Sequence, residues 1–172
     1  YMIGNTTSAS MQTTGLVNTQ PIGREDRFFT VCAGSGRELL NGMYFGGSGV
    51  DEMVSGHQFH SGSSAVVVGS TSSTDFPVYG EGASDVRAGA SDGFIAILSP
   101  SASQYATLVS GSGADTIVEV VVDPQGDLYY ISSTTSQDLA TQDSSYKQYE
   151  EGRNIFVAKY AFGAVDLTIP AA

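Results

Sequence analysis

The sequence has few basic residues, one cysteine, no tryptophan and no long apolar run. Seven Lys and Arg stand against 18 Asp and Glu, for a formal net charge of −11. Phosphate contacts need Lys and Arg, so this balance argues against a nucleic-acid binder. Cys32 has no second cysteine with which to form a disulfide within the chain. No run approaches the roughly 18 apolar residues of a membrane-spanning helix, so we expect no membrane span.

Small and hydroxyl-bearing residues take the place of charge. The chain contains 23 Ser, 14 Thr and 21 Gly, and 15% of its residues are charged, against roughly 25% in an average globular domain. Hydrophobic residues make up 41%, which is enough for a folded core. The composition therefore predicts a folded chain with many turns, since turns use Gly for positive φ.

Internal repeats organise the sequence. Residues 46–51 read G-G-S-G-V-D, and residues 110–115, 64 positions later, read S-G-S-G-A-D. Two further elements recur with a similar spacing: G-S-T-S-S-T-D-F at 69–76 returns as 132–139 and in degraded form at 4–11, and D-R-F-F-T-V at 26–31 returns at 92–97 and 154–159. Several landmarks with one period indicate a repeat architecture with units of about 62 to 66 residues.

Each unit is predicted to contain four short strands. The clearest strand, I-V-E-V-V-V at 117–122, is β-branched and precedes D-P-Q-G at 123–126, which has type I turn chemistry. The other three strands are predicted at 128–131, 94–98 and 105–109. Neighbouring strands with tight turns form antiparallel meanders. The sequence shows no convincing helix.

Four-stranded units in series are typical of propeller blades. The predicted fold is all-β, with consecutive four-stranded antiparallel propeller-type blades. Residues 1–47 form a partial blade that lacks its first strand, 48–109 a second blade and 110–172 a third. The count is 11 strands, or about 2.75 blades, so the chain is expected to be incomplete or open. It would be a fragment of a longer protein, close a ring with copies of itself, or bury its edges against other chains.

The units resemble the bacterial β-propeller repeat called the SBBP repeat. The resemblance rests on three segments, G-G-S-G-V-D at 46–51, G-S-T-S-S-T-D-F-P at 69–77 and S-D-G-F-I-A-I-L at 91–98, together with D-P-Q-G-D-L-Y at 123–129. It covers nearly the whole chain, although the outer copies depart from the pattern. The resemblance implies a propeller fold and a secreted or cell-surface location, and it implies no catalytic residues.

Two aspartates are weak calcium candidates. Asp51 is the sixth residue of the segment 46–54, which fits the nine-residue G-G-x-G-x-D-x-U-x calcium repeat, and Asp115 takes the same place in the copy at 110–115. That site needs tandem copies nine residues apart, whereas these copies are 64 apart. The favoured interpretation is therefore a turn, in which both carboxylates accept hydrogen bonds from loop N–H groups. No cofactor is expected.

Other chemistry-bearing residues give weaker signals. His57 and His60 are three apart on a strand and would point to opposite faces, which disfavours a shared metal. Cys32 is interpreted as a small hydrophobe at the end of a strand. A Ser/His/Asp triad has no distinctive sequence signal in so serine-rich a chain.

The long loops between the second and third strands offer a ligand hypothesis. The loops at 77–91 and 140–153 contain Tyr79, Tyr146 and Tyr149, which could stack on a carbohydrate. Packing of these tyrosines onto the blade is the favoured alternative.

We expect a non-enzymatic structural or interaction module, extracellular or on the cell surface, that binds other protein chains or the rest of a longer chain through open blade edges. A carbohydrate-binding propeller and a fragment of a propeller-based enzyme are the alternatives.

Overall fold

The described part of the chain is entirely β-structure. The computed structural model describes residues 2–8, 26–59, 64–99, 103–139 and 152–160, and these contain no helix. This confirms the all-β prediction. The strands are β1 (Met2–Thr6), β2 (Asp26–Cys32), β3 (Leu39–Phe45), β4 (Asp51–Phe59), β5 (Ser64–Thr71), β6 (Asp92–Leu98), β7 (Ser103–Val109), β8 (Asp115–Val122), β9 (Leu128–Thr134) and β10 (Asn154–Tyr160).

The strands form three antiparallel sheets in chain order. The first sheet is β1-β2-β3, the second is β4-β5-β6-β7, and the third is β8-β9-β10. Each is a meander, and none of the three closes on itself. Ten of the 11 predicted strands are present, and the last one falls in residues 161–172, outside the described residues. The sheets lie within 1–47, 48–109 and 110–172, while the division into domains stays a prediction.

The predicted turn at 123–126 is confirmed. The Gly126 N–H donates to the carbonyl oxygen of Asp123 at 3.0 Å. The Asp123 side chain also accepts from the N–H groups of Gln125 and Asp127, both at 2.9 Å. Gly126 has φ +93°, a backbone conformation that favours glycine. The turn therefore leads β8 directly into β9.

The second sheet is buried on both faces. We call its two faces front and back: the front carries Val66, Val68, Ile95, Ile97 and Tyr105, and the back carries Ala65, Val67, Phe94, Ala96 and Leu98. The front packs against the third sheet and the back packs against the first. This arrangement explains why β6 is apolar after Asp92 rather than alternating, since all seven of its residues are buried.

The repeat period is visible in the strand pairing itself. β4 has a bulge between Met53 and Ser55 opposite β5, and β8 has a bulge between Ile117 and Glu119 opposite β9. The two bulges lie 64 residues apart, which matches the offset of the glycine-rich turns. A bulge bends its strand and increases the local twist. The first strands of the second and third sheets therefore share one irregular geometry.

β1 lies at the end of the first sheet. Its residues pair with β2, in a register that places Ile3 opposite Phe29. Met2 is 53% exposed. Within the described residues β2 is the only strand that pairs with β1.

Candidate functional site

The loop before β4 is held by the side chain of Asp51. This carboxylate is 2% exposed. It accepts hydrogen bonds from the Gly47 N–H at 2.7 Å, from Thr71 Oγ1 at 2.5 Å, and from Ser73 Oγ at 2.9 and 3.0 Å. Ser73 Oγ in turn accepts from the Gly49 N–H at 2.8 Å. Asp51 thereby ties the glycine-rich turn to the end of β5, and we call this arrangement the aspartate clamp.

The third sheet has the same clamp, built on Asp115. Its carboxylate accepts from the Gly111 N–H at 2.7 Å, from Thr134 Oγ1, and from Ser136 Oγ at 2.8 and 2.9 Å. Ser136 Oγ accepts from the Gly113 N–H at 2.8 Å. The duplicated geometry shows that the T-x-S segments, which begin at the last residues of β5 and β9, are part of the motif, and sequence reasoning missed their role.

The clamps supply the hydrogen bonds that the turn interpretation requires. Both oxygens of Asp51 and of Asp115 accept from protein donors, including the backbone N–H groups of Gly47 and Gly111. Within the ranges that the structure describes, no three His, Cys, Asp or Glu side chains are grouped as a metal site. Calcium at Asp51 or Asp115 stays an untested hypothesis.

Exposed aspartates extend both clamps outward. Asp75 accepts from the N–H and Oγ of Ser48 at 2.7 and 2.9 Å, and Asp138 does the same with Ser112 at 2.7 and 2.8 Å. The Ser48 and Ser112 hydrogen bonds lower the pKa values of Asp75 and Asp138. Both carboxylates are exposed, so water weakens these interactions. They stabilise the turns less than the buried hydrogen bonds to Asp51 and Asp115 do.

Tyr79 lines an open cavity of about 470 Å³ with Phe76, Ala83, Asp85 and Arg87 among its walls. Its backbone pairs with Ala106 of β7 in both directions, at 3.1 and 2.9 Å. Its ring packs against the core between the first two sheets. Of the three ligand candidates, Tyr146 and Tyr149 lie outside the described residues, so the structure places only Tyr79 at a cavity.

The guanidinium of Arg87 is engaged by the walls of this cavity. Its nitrogens donate to the carbonyl oxygens of Ser73 at 3.3 Å, Phe76 at 2.8 Å and Asp85 at 2.9 Å. These bonds fasten the long loop of the second unit to the segment after β5. A ligand in this cavity would contact a guanidinium that already donates hydrogen bonds to three backbone carbonyl oxygens.

Ser55, His57 and Glu119 lie near one another where β4 and β8 meet. Ser55 Oγ donates to Glu119 Oε1 at 2.5 Å. The charge of His57 contributes to lowering the pKa of Glu119, after the larger effects of the hydrogen bonds from Ser55 and Val120. His57 Nδ1 contacts the carbonyl oxygen of Gln58 at 3.0 Å. The serine is thus hydrogen-bonded to the carboxylate directly, without an imidazole between them.

His60 lies outside the described residues, and Cys32 is a half-buried free thiol.

The third sheet presents an apolar surface to solvent. We call the surface formed by Tyr129, Ile131, Val157 and Lys159 the third-sheet front face, because the strand register sets these residues side by side. Val157 is 44% exposed and the other three are half-buried. Lys159 pairs with Asp127 at 2.6 Å and lies 5.7 Å from the centre of the Tyr129 ring.

Sequence reasoning missed this face, because a half-buried strand and a fully buried one both read as apolar runs.

Comparisons with family models and with curated proteins do not identify the function, so the function is inferred from the structure and the sequence motifs. No family model matches the chain. No curated protein matches it either. Separately, within the part of the chain that the structure describes, no helix has the length and apolar character to cross a membrane.

Proposed function

We propose that this chain is a non-enzymatic structural and interaction module of a secreted or cell-surface protein. Its units are propeller-type blades of the SBBP kind, which stack face to face and bind further protein through the faces and edges at the two ends of the stack. The acidic, lysine-poor composition is in keeping with a secreted or salt-adapted protein.

One observation carries this proposal. The front of the second sheet is buried beneath the third sheet, and Val68 and Ile95 on it are 0% exposed. The same positions of the third sheet are Ile131 and Val157, which are half-buried and 44% exposed. Contiguous exposed apolar surface marks sites of protein interaction.

The repeated clamps also support a module built for assembly. Asp51 and Asp115 hold equivalent turns in equivalent shapes, and the loop ending at Ser91 links one unit to the next. The Asp115 N–H donates to the carbonyl oxygen of Ser91 at 2.9 Å, and Ser91 and Ala114 form a parallel bridge. The second unit therefore offers a fixed backbone position for the start of the third.

Site-specific photo-crosslinking tests the interaction function. A benzophenone amino acid at position 157 of the full-length protein, in its source cells, should yield adducts with protein. The matched control is position 86, because Val86 is also an exposed valine, at 59%, and is not part of the third-sheet front face. Equal adduct yields at the two positions, or none at 157, would contradict an interaction role for the third-sheet front face.

A carbohydrate-binding function is the second candidate, favoured by the cavity beside Tyr79. An aromatic ring at an open cavity with Asp85 and Arg87 has the composition of a small polar-ligand site. A glycan array tests it with wild type, Tyr79→Ala and Tyr129→Ala. Saturable binding that is lost only in Tyr79→Ala would favour the carbohydrate function, and an array without binding would remove it.

A further inference from the structure

Two tyrosines from neighbouring units meet in the buried interface between the second and third sheets. Tyr105 of β7 is 6% exposed and Tyr160 of β10 is 4% exposed. Their hydroxyl groups contact each other as hydrogen-bond partners, and their ring centres are 6.0 Å apart at an interplanar angle of 53°. The carbons ortho to the two hydroxyls therefore lie at the edges where the rings approach each other.

The surroundings of this pair let a proton leave a phenol together with an electron. A phenol hydroxyl both donates and accepts hydrogen bonds, so either hydroxyl can take a proton from the other. Thr107 of β7 contributes a further side-chain hydrogen bond to Tyr160. Burial favours the neutral phenols, which opposes the loss of a proton alone. Loss of a whole hydrogen atom is therefore the favoured route to a phenoxyl radical at this site.

The open cavity beside Tyr79 brings solvent close to the pair. Gly80 and Ala83 line this cavity, and Ala83 also packs against the hydrophobic cluster that contains Tyr105 and Tyr160. At Gly80, whose φ is +112°, an added Cβ would lie 2.3 Å from Cδ2 of Tyr105. The Gly80 backbone thus touches the ring and lines the cavity, so an oxidant in the cavity is one residue away from Tyr105.

We propose that Tyr105 and Tyr160 form an oxidative crosslinking site, at which a one-electron oxidant couples the two phenols to a dityrosine. Each phenol gives up one electron and its hydroxyl proton, which leaves two phenoxyl radicals. A carbon–carbon bond then forms between one ortho carbon of each ring, and the hydrogen on each of these carbons moves to the oxygen and restores the phenol. The chain loses two hydrogen atoms in total. With hydrogen peroxide as the terminal oxidant, these two hydrogens reduce it to two molecules of water.

The crosslink joins the second unit to the third covalently. Its two ends are 55 residues apart in the sequence. A crosslink that closes a long loop stabilises a fold mainly by restricting the unfolded chain. The site goes beyond the proposed interaction function, because neither tyrosine belongs to the third-sheet front face.

Photo-oxidation of the purified, dilute protein with tris(bipyridyl)ruthenium(II) and persulfate tests the proposal. Trypsin separates Tyr105, in peptide 88–147, from Tyr160, in peptide 160–172. The oxidised folded protein should show dityrosine fluorescence. Mass spectrometry should find the two peptides joined with the loss of two hydrogen atoms, and fragmentation should place the bond between Tyr105 and Tyr160. A bond between Tyr130 and Tyr160 instead would overturn the proposal.

Tyr105→Phe and Tyr160→Phe each remove one phenol and keep the ring, so each should abolish the joined peptide. Tyr129→Phe is the matched control, because it removes a phenol from the third-sheet front face and should leave the yield unchanged. Circular dichroism verifies that every variant is folded, and the bond located in wild type does not depend on the variants.

Wild type oxidised in denaturing urea should lose the selectivity for this pair, and the crosslinked protein should unfold at a higher urea concentration than the untreated protein. If the folded wild type gives no joined peptide, or gives it in no greater yield than the unfolded chain does, Tyr105 and Tyr160 form a structural hydrogen bond and the proposal is wrong.

Discussion

Ser55 and Glu119 are joined by a hydrogen bond of 2.5 Å, and they are 64 residues apart in the sequence. This separation equals the repeat period, so the bond joins equivalent positions of β4 and β8, each just after a bulge. Because this bond joins a residue of the second unit to its own counterpart in the third, it fixes the position of β8 relative to β4. The first strands are therefore where neighbouring sheets are aligned.

The hydrogen bond from Ser55 is the largest cause of the lowered pKa of Glu119, followed by the bond from the Val120 N–H. Ser55→Ala should raise this pKa toward the ordinary Glu value of about 4.3. An NMR titration of the side-chain carboxyl measures it. Ser48→Ala is the matched control, because it should raise the pKa of Asp75 and leave that of Glu119 unchanged. A Glu119 pKa that does not move in Ser55→Ala would refute this account.

The same shift gives the sign of a pH effect on stability. Glu119 has a folded-state pKa below its unfolded value, so its contribution is present above the unfolded pKa. It is lost as the pH falls through the folded one. Urea denaturation of wild type and Ser55→Ala should therefore differ more at pH 7 than at pH 2. The difference should be small, because Glu119 is exposed.

Removing a clamp carboxylate should destabilise the fold strongly. Asp51→Ala leaves the Gly47 N–H, Thr71 and Ser73 without their acceptor in a buried site, which should cost about 3 kcal/mol. Asp115→Ala should cost a similar amount. Asp75→Ala is the control and should cost much less, because Asp75 is exposed. Chemical denaturation measures all three variants.

The same variants test the calcium hypothesis. Since protein donors already occupy the oxygens of Asp51, calcium and a chelator should give equal melting temperatures for wild type. A calcium-dependent rise that disappears in Asp51→Ala would establish a metal site instead.

Gly89 tests the contact between the second and third sheets. An added Cβ would lie 1.7 Å from the carbonyl oxygen of Gly113, so Gly89→Ala must displace the loop from the glycine-rich turn of the next unit. We expect a loss of about 1–3 kcal/mol, as for other overpacked sites. Gly34→Ala is the control, since an added Cβ there meets nothing within 4 Å. Equal stability of the two variants by thermal unfolding would show that the loop is not seated on that turn.

Two buried tyrosines should resist ionisation at alkaline pH. Burial raises the pKa of Tyr130, and burial followed by the hydrogen bond with Tyr105 raises that of Tyr160. Their folded-state pKa values exceed the unfolded value of about 10, so their contribution to stability is complete below pH 10 and is lost as the pH rises further. Absorbance titration should show a late-ionising fraction that diminishes in Tyr130→Phe. Complete ionisation before unfolding would contradict the burial of these rings.

The sequence predicted the fold further than it predicted the site. Apolar runs and the D-P-Q-G turn located the strands, because both are local signals. The aspartates of the clamps were identified, but their partners were not, since Thr71 and Ser73 lie about 20 residues from Asp51 across a hairpin. The exposure of Val157 was invisible for another reason. It depends on which sheet stands beside β10, and no pattern within β10 contains that information.

Gly93 and Ile155 occupy the same position of successive units. The size of the side chain at this position affects whether the first strand of a further unit can pack there. The glycine admits the first strand of the following unit, because Ile117 fits against it. The isoleucine fills that space. A chain extended by duplicating residues 48–109 would keep a glycine at this position in both copies, so the first strand of the next unit would find the same space on each of them.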